Sequence, residues 1–262
     1  MTDAATTRAI RLALAVSAVQ AARAIEAAAN LAAAMHAKLA AVYVQDEDLL
    51  RAAALPCTFE IGALASGAQP FNLAKTERAL KREAIEVEQA VSAAAKNLGL
   101  GWTFEVLRGR AMDWPFDRAG VSDITVIGKS GLDLPGPHPV RRLSSMAAPI
   151  LAIIDSTPDS LARLERILRD LGGNAPLAIW TPESTERDAQ SIRRSIHTFG
   201  KETRRATTHL ANTEAFSAAS VARMMRTLRP GMVLIARSLA ERIRTELPVV
   251  MRLVAGTMIF AP

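Results

Sequence analysis

Asp123-Ile124-Thr125-Val126-Ile127-Gly128-Lys129-Ser130-Gly131 is the stretch on which the fold turns. A short β-branched run ends in Gly-x-x-Gly, the pattern of a buried strand that delivers the chain into a tight, glycine-lined turn. In parallel α/β sheets such a turn lies at the carboxyl end of a strand, where backbone N–H groups can face a phosphate. A lone Gly-x-x-Gly is a weak signal, so its meaning depends on what surrounds it.

On both sides of this stretch, strand and helix patterns alternate, the signature of a mainly parallel sheet with helices on its faces. Leu12–Val16, Leu39–Val44, Trp102–Leu107 and Ile124–Ile127 read as strands. Ala21–His36 reads as a helix with Ile25, Ala28, Ala32 and Met35 on its inner face. Asp46-Glu47-Asp48 caps a helix over Leu49–Ala54, and residues 56–74 read as a long surface connection. Lys75–Leu98 is the clearest helix, with Leu80, Ala84, Val87, Val91 and Leu98 on one side and Gly99 at its end. A short helix is expected near Asp113–Ala119. The order then repeats: strand Pro149–Ile154, helix Ser160–Leu171, strand Pro176–Trp180, helix Thr185–Phe199, strand Thr207–Leu210, helix Ala215–Leu228, strand Met232–Ala236, helix Leu239–Leu247 and strand Thr257–Phe260. Two copies of one α/β unit, residues 1–148 and 149–262, account for this order.

Composition narrows the function classes. The 262 residues are half apolar yet only 4% aromatic, which favours helices packed through small side chains. Cys57 is the only cysteine, so no intrachain disulfide or Cys-based metal site can form, and a reducing cytoplasm fits. No run of about 18 uncharged apolar residues predicts a membrane span. Arg8, Arg11 and the apolar Leu12–Val19 loosely imitate a secretion signal, but the second half opens with an equivalent strand, so Leu12–Val16 is read as structure. The net charge is +6, with 16 basic and 15 acidic residues before position 146 and 16 basic and 11 acidic after it. The excess is arginine at helical spacing without interleaved aromatics, which argues for a solvated helix surface and against nucleic acid.

The order and spacing of these motifs resemble the universal stress protein family, in a tandem form covering nearly the whole chain. In the first copy the resemblance rests on Gln45-Asp-Glu-Asp-Leu-Leu-Arg51 with Leu55-Pro56 and Glu60-Ile-Gly62, on Trp102-Thr-Phe-Glu-Val-Leu-Arg-Gly109, and on Ser122-Asp-Ile-Thr-Val-Ile-Gly128. In the second it rests on Ile154-Asp155-Ser-Thr-Pro-Asp-Ser160, similar to the family's Asp-Gly-Ser turn after strand one. The resemblance implies a doubly wound parallel sheet of order 3-2-1-4-5, of the adenine nucleotide alpha hydrolase-like type, and pairing of units through fifth strands. It also implies, in the members that bind ATP, an Asp after strand one, a Val in strand two and a Gly-x-x-Gly-x9-Gly-Ser/Thr loop after strand four.

Carried over residue by residue, the first copy offers Ser17, Val44, Ile127, Gly128, Lys129, Ser130 and Gly131, and the second offers Asp155. Ser17 stands where a carboxylate is expected and holds a donor less firmly. Arg141-Arg142 occupies the place of the distal Gly-Ser/Thr. In alternative registers, Gly136 is followed by Pro137, which has no N–H, and Ser144-Ser145 lacks the glycine. Ala236-Arg237-Ser238 replaces the second loop altogether. Neither copy holds a complete site. If Pro149–Ile154 opens the second copy, the first lacks its last helix and strand.

No catalytic or metal constellation stands out. His36, His138, His197 and His209 are far apart, Asp46-Glu47-Asp48 suits a cap better than Mg²⁺, and Cys57 has no activating neighbour. The expectation is a stress-type regulatory or interaction protein with weak or lost adenine-nucleotide binding, ATP being the one cofactor the resemblance allows. The alternative is an ATP/AMP sensor using Gly128–Gly131, and behind it a slow nucleotide hydrolase. A protein partner or a homodimer is expected, because a missing fifth strand leaves an open sheet edge.

Overall fold

The computed structural model describes residues 9–61, 68–109, 124–128, 149–212, 215–251 and 257–261. In chain order the strands are β1 (Ala9–Leu14), β2 (Lys38–Asp46), β3 (Phe59–Ile61), β4 (Ala68–Pro70), β5 (Trp102–Gly109), β6 (Ile124–Ile127), β7 (Ile150–Ile153), β8 (Leu177–Pro182), β9 (Thr207–Asn212), β10 (Met232–Ala236) and β11 (Thr257–Ala261). The helices are α1 (Ala18–Ala34), α2 (Glu47–Ala54), α3 (Leu73–Asn97), α4 (Pro158–Leu171), α5 (Glu186–Thr203), α6 (Ala218–Leu228), α7 (Arg237–Arg242) and α8 (Leu247–Met251).

Nine strands form one sheet in the order β5-β2-β1-β6-β11-β10-β7-β8-β9. All neighbours run parallel except β6 and β11, which pair antiparallel through Met258↔Ile127, Ile259↔Val126 and Phe260↔Thr125. The central strands are near-continuous apolar runs, as strands covered on both faces must be; β6, β7, β8 and β11 are buried at every position. Pro149–Ile154 contains β7, which lies between β8 and β10 and so groups with the strands that follow it.

The edge that was expected to stay open beside β6 is filled. β11 lies between β6 and β10, hydrogen-bonded to both, and takes the place a fifth strand of the first half would hold. The argument for a partner at that edge falls with it. Among the described residues, β5 and β9 are the outer strands.

Helices α1, α3, α4 and α5 cover one face. Their buried side chains (Ala24, Ala28, Val87, Leu164, Ile192 among them) form a continuous core with Leu12, Leu39, Val126, Ala152 and Ile179. Alanines at the buried positions of α1 let it lie close to the sheet and against both α3 and α4, so one helix packs across the two halves. Helices α6, α7 and α8 cover the other face, packing Val221, Leu239 and Val250 around Trp180, Val233 and Phe260.

The helix starts follow their capping chemistry. Asp46 caps α2, its Oδ1 accepting from the N–H of Asp48 at 2.9 Å and of Leu49 at 3.3 Å. Thr157 and Thr185 cap α4 and α5 in the same way, with Pro158 opening α4. Residues 56–74, expected as a plain connection, contain the antiparallel hairpin β3–β4. The helix expected at Leu239–Leu247 is two shorter ones, α7 and α8, and the helix expected near Asp113–Ala119 falls outside the described residues.

Candidate functional site

In a doubly wound sheet, ligands bind beyond the carboxyl ends of the strands where the connections diverge. This sheet has two such places. One lies beyond β1 and β6, since β1 leads outward to β2 while β6 lies on its other side. The other lies beyond β7 and β10 by the same logic. The antiparallel β6·β11 junction sets them at opposite ends of the sheet, about 15 Å apart along the strands at ~3.3 Å per residue. Asp155 and Gly128 therefore do not share a composite site.

At the first place, Ser17 ends the β1–α1 connection. Its carbonyl accepts from the Ala21 N–H at 2.9 Å, while its hydroxyl donates to Gln20 Oε1 at 3.3 Å and caps no helix N–H. Val44 and Ile127 are buried in the core shared with α6–α8. Gly128 is also buried, and its N–H donates to Ala13 O at 3.0 Å, extending the β1–β6 ladder by one rung. A Cβ at Gly128 would stand 2.5 Å from Leu14 Cδ2 and 3.5 Å from Ala24 Cβ. The glycine is thus required for clearance beneath α1, and its only described donor is already engaged. Lys129, Ser130, Gly131 and Gly136 lie outside the described residues.

The second place is built from four connections. Asp155 follows β7, and its Oδ2 accepts from the hydroxyl of Ser238, at the start of α7, at 2.7 Å. That hydrogen bond crosses the point where the strand order diverges. Glu183 follows β8 with φ 57°, a left-handed conformation in which a residue with a Cβ is uncommon. Its carboxylate accepts two guanidinium bonds from Arg242, at 2.9 and 2.7 Å, and the N–H of Phe216 at 2.9 Å. These donors hold the Glu183 carboxyl at about 2, with the Arg242 hydrogen bonds contributing most and the Phe216 N–H next. The Arg242 guanidinium lies 5.4 Å from the centre of the Phe216 ring, and that ring lies 5.8 Å from the fully buried Trp180. Arg242 is shifted towards its charged form mainly by the Glu183 hydrogen bonds, with Asp155 adding to the effect.

Of the described residues that the sequence offered for a site, only Asp155 lies in this network. Glu183, Phe216 and Arg242 were missed, although Glu183 carries one legible sign: a carboxylate directly after the apolar strand 177–182. The arginine excess is partly absorbed within the chain, where Arg169 pairs with Glu165 and Glu202, Arg193 with Glu186, Arg242 with Glu183 and Arg244 with Glu241. Beside the second place, His209 on β9 meets Thr181 Oγ1 at 2.9 Å, and Ser184 Oγ donates to Thr181 O at 3.1 Å. Cys57 is exposed. No metal-binding group of three or more acidic, His or Cys side chains occurs among the described residues, and no helix among them is long and apolar enough to cross a membrane.

No protein-family model matches the chain, and no curated protein matches it in sequence. Solved structures do. A universal stress protein from Archaeoglobus fulgidus DSM 4304 aligns over 97% of this chain and 96% of its own, with a TM-score of 0.50 and 9% identity. A member of the universal stress protein family from Burkholderia pseudomallei covers 78% of this chain and 97% of its own at 18% identity, with a TM-score of 0.28. A protein of unknown function from Pseudomonas aeruginosa PAO1 covers 98% of this chain and 92% of its own at 10% identity and a TM-score of 0.40. The first of these likenesses shows the fold: the chain has a universal-stress-type α/β sheet.

Proposed function

We propose that this protein is a tandem universal-stress-type regulatory or interaction protein, its halves divided near residue 148, in which adenine-nucleotide binding is weak or lost. The observation that carries the reading is the engagement of the groups at both divergence points by the chain itself. Beyond β6, the Gly128 N–H bonds Ala13 O and the space above its Cα is filled by Leu14. Beyond β7, Asp155 is held by Ser238, and the nearby guanidinium of Arg242 is taken by Glu183. A ligand that draws on the Gly128 N–H or on the Arg242 guanidinium must first displace an interaction of the folded chain.

A protein partner, or a second copy at the outer strands β5 or β9, then becomes the means by which the fold acts. Cys57, the only cysteine and an exposed one, suits a reducing cytoplasm. A second reading, an ATP or AMP sensor, draws on Gly128 directly after β6, with Lys129–Gly131 next in sequence, and on Ser17 at the end of the β1–α1 connection.

The deciding experiment is the nucleotide content of the freshly purified, acid-denatured protein, followed by ATP titration calorimetry on the native protein. We expect no released adenine nucleotide and no micromolar binding. Stoichiometric nucleotide, or micromolar ATP affinity lost on Lys129→Ala, would overturn the proposal in favour of the sensor.

A further inference from the structure

We propose that Glu183 is an internal occupant of an oxyanion site: its carboxylate holds the Arg242 guanidinium beyond the carboxyl end of β8, beside the second divergence point, and a phosphate-bearing ligand would replace it there. The inference concerns regulation of the second divergence point and rests on the reading that this place is closed by the chain's own groups.

The geometry is that of a ligand contact made from within. Arg242 presents two nitrogens in parallel to two oxygens, at 2.9 and 2.7 Å, the forked arrangement by which guanidinium groups recognise carboxylates and phosphates alike. The far face of the guanidinium is supported by the Phe216 ring at 5.4 Å, and that ring rests 5.8 Å from buried Trp180, so the arginine is set on a rigid base. A backbone N–H, from Phe216, converges on the same Glu183 carboxylate at 2.9 Å. Two kinds of donor, one charged and one from the main chain, thus aim at a single pair of oxygens.

Glu183 reaches this position only through a left-handed backbone at φ 57°, a conformation that persists in a non-glycine residue when its surroundings demand it. The latch is also accessible. The side chains of Arg242 and Glu183 are 45% and 41% exposed, so an incoming anion can reach the pair without unfolding a core element. Asp155, fixed by Ser238 at 2.7 Å, adds to the electrostatic field that favours the charged guanidinium.

A site whose recognition group is held internally binds more weakly by the fraction of time it is free. The test is calorimetric titration of inorganic pyrophosphate into the full-length wild type, Glu183→Gln, and the double variant Glu183→Gln/Arg242→Gln. We expect Glu183→Gln to bind at least about tenfold more tightly than wild type, and the double variant to lose the gain. Glu183→Asp, which keeps the charge but withdraws it by one methylene, should show an intermediate gain and serves if the amide variant is unstable. No gain in either single variant, or a gain that survives loss of Arg242, would overturn the proposal. Neither result bears on whether wild type binds ATP, so this inference and the proposed function can fail separately.

Discussion

At the residue scale, the same side chain can be read in the sequence only as far as its partner is near. Asp46 was legible as a cap because the N–H groups that donate to it lie two and three residues on. Glu183 was not, because its partners Phe216 and Arg242 are brought to it by two later connections. Its environment makes a testable statement. The Glu183 carboxyl titrates at about 2 in the fold, against an ordinary value of 4.5, so the folded state binds its proton later than the unfolded state does. The stabilisation is therefore complete above pH 4.5 and is lost as pH falls from there towards 2. Denaturant midpoints of wild type and Glu183→Gln should differ at pH 6 and converge as the pH approaches 2; a constant difference would refute this. His209 behaves differently. Burial first, and Arg193 second, lower its pKa below the ordinary 6.5, so the fold keeps the imidazole neutral where the unfolded chain protonates. Stability should fall as pH drops below 6.5, and His209→Gln should flatten that part of the profile. An unchanged slope would mean that His209 is not the group responsible. Gly128 shows the limit of reading a motif. Glycine in a turn can supply a positive φ, a close approach to a ligand or mere clearance, and only the structure, with Leu14 Cδ2 2.5 Å from the missing Cβ, identifies clearance. Gly128→Ala should cost about 1–3 kcal/mol by overpacking, read from denaturant unfolding. A neutral result would show that Leu14 can move aside.

At the element scale, periodicity carried most of the reading. The inner faces of α1 and α3 and the apolar runs β6, β7 and β10 follow directly from spacing, since burial on one helix face or both sheet faces leaves a repeat in the sequence. The hairpin β3–β4 escaped because three-residue strands leave no repeat to detect. The early end of the helix expected at Leu239–Leu247 escaped because α7 stops at Arg242, whereas Pro248 falls in the first turn of α8, where proline is tolerated. Contacts that join elements are the hidden part. Arg205, buried just beyond α5, donates through its guanidinium to the carbonyls of Leu168, Gly172 and Ala175, thereby capping the carboxyl end of α4 from a distant segment. Arg205→Met keeps the stem but leaves those carbonyls without their donor. The loss should be about 2–3 kcal/mol, at the upper range for hydrogen bonds from a charged group. Gly200, inside α5, weighs two effects of opposite sign. Alanine in a helix interior gains about 1 kcal/mol over glycine, but its Cβ would lie 2.8 Å from Thr207 Oγ1 and 2.9 Å from Cγ2. With overpacking costing about 1–3 kcal/mol, Gly200→Ala should be net destabilising, and should be less so in the background Thr207→Ala, where only the Arg205 carbonyl at 3.1 Å remains tight. A stabilising single variant would show that the β9 edge yields.

At the scale of the whole molecule, the alternation of strand and helix made the α/β class legible, yet it could not show how the early and late strands meet. Pairing between β6 and β11 joins segments about half the chain apart, and a strand's sequence says that both its faces are buried without saying which neighbours lie at its edges. That one contact decides three larger matters. It fills the edge beside β6, it sets the two divergence points at opposite ends of the sheet, and it makes the last strand a structural part of both halves. β11 is buried along its length, bonds β10 in parallel and β6 antiparallel, and lines both faces of the core through Ile259 on one side and Phe260 on the other. α1 packing on α4 adds a second tie across the same seam. Two independently stable halves would unfold in two steps, whereas halves sharing a strand lose their ladder together. Equilibrium denaturation followed by far-UV circular dichroism and by tryptophan emission, dominated in the second half by buried Trp180, should therefore give coincident single transitions. Ile259→Pro sharpens the test. Proline at the centre of β11 removes a ladder donor and clashes with its neighbours, and should lower the stability reported by Trp102 on β5 as well as by Trp180 on β8. If the Trp102 transition stayed where it is in wild type while the Trp180 transition moved, the first half would be standing without its borrowed strand, and the shared-strand account would fail.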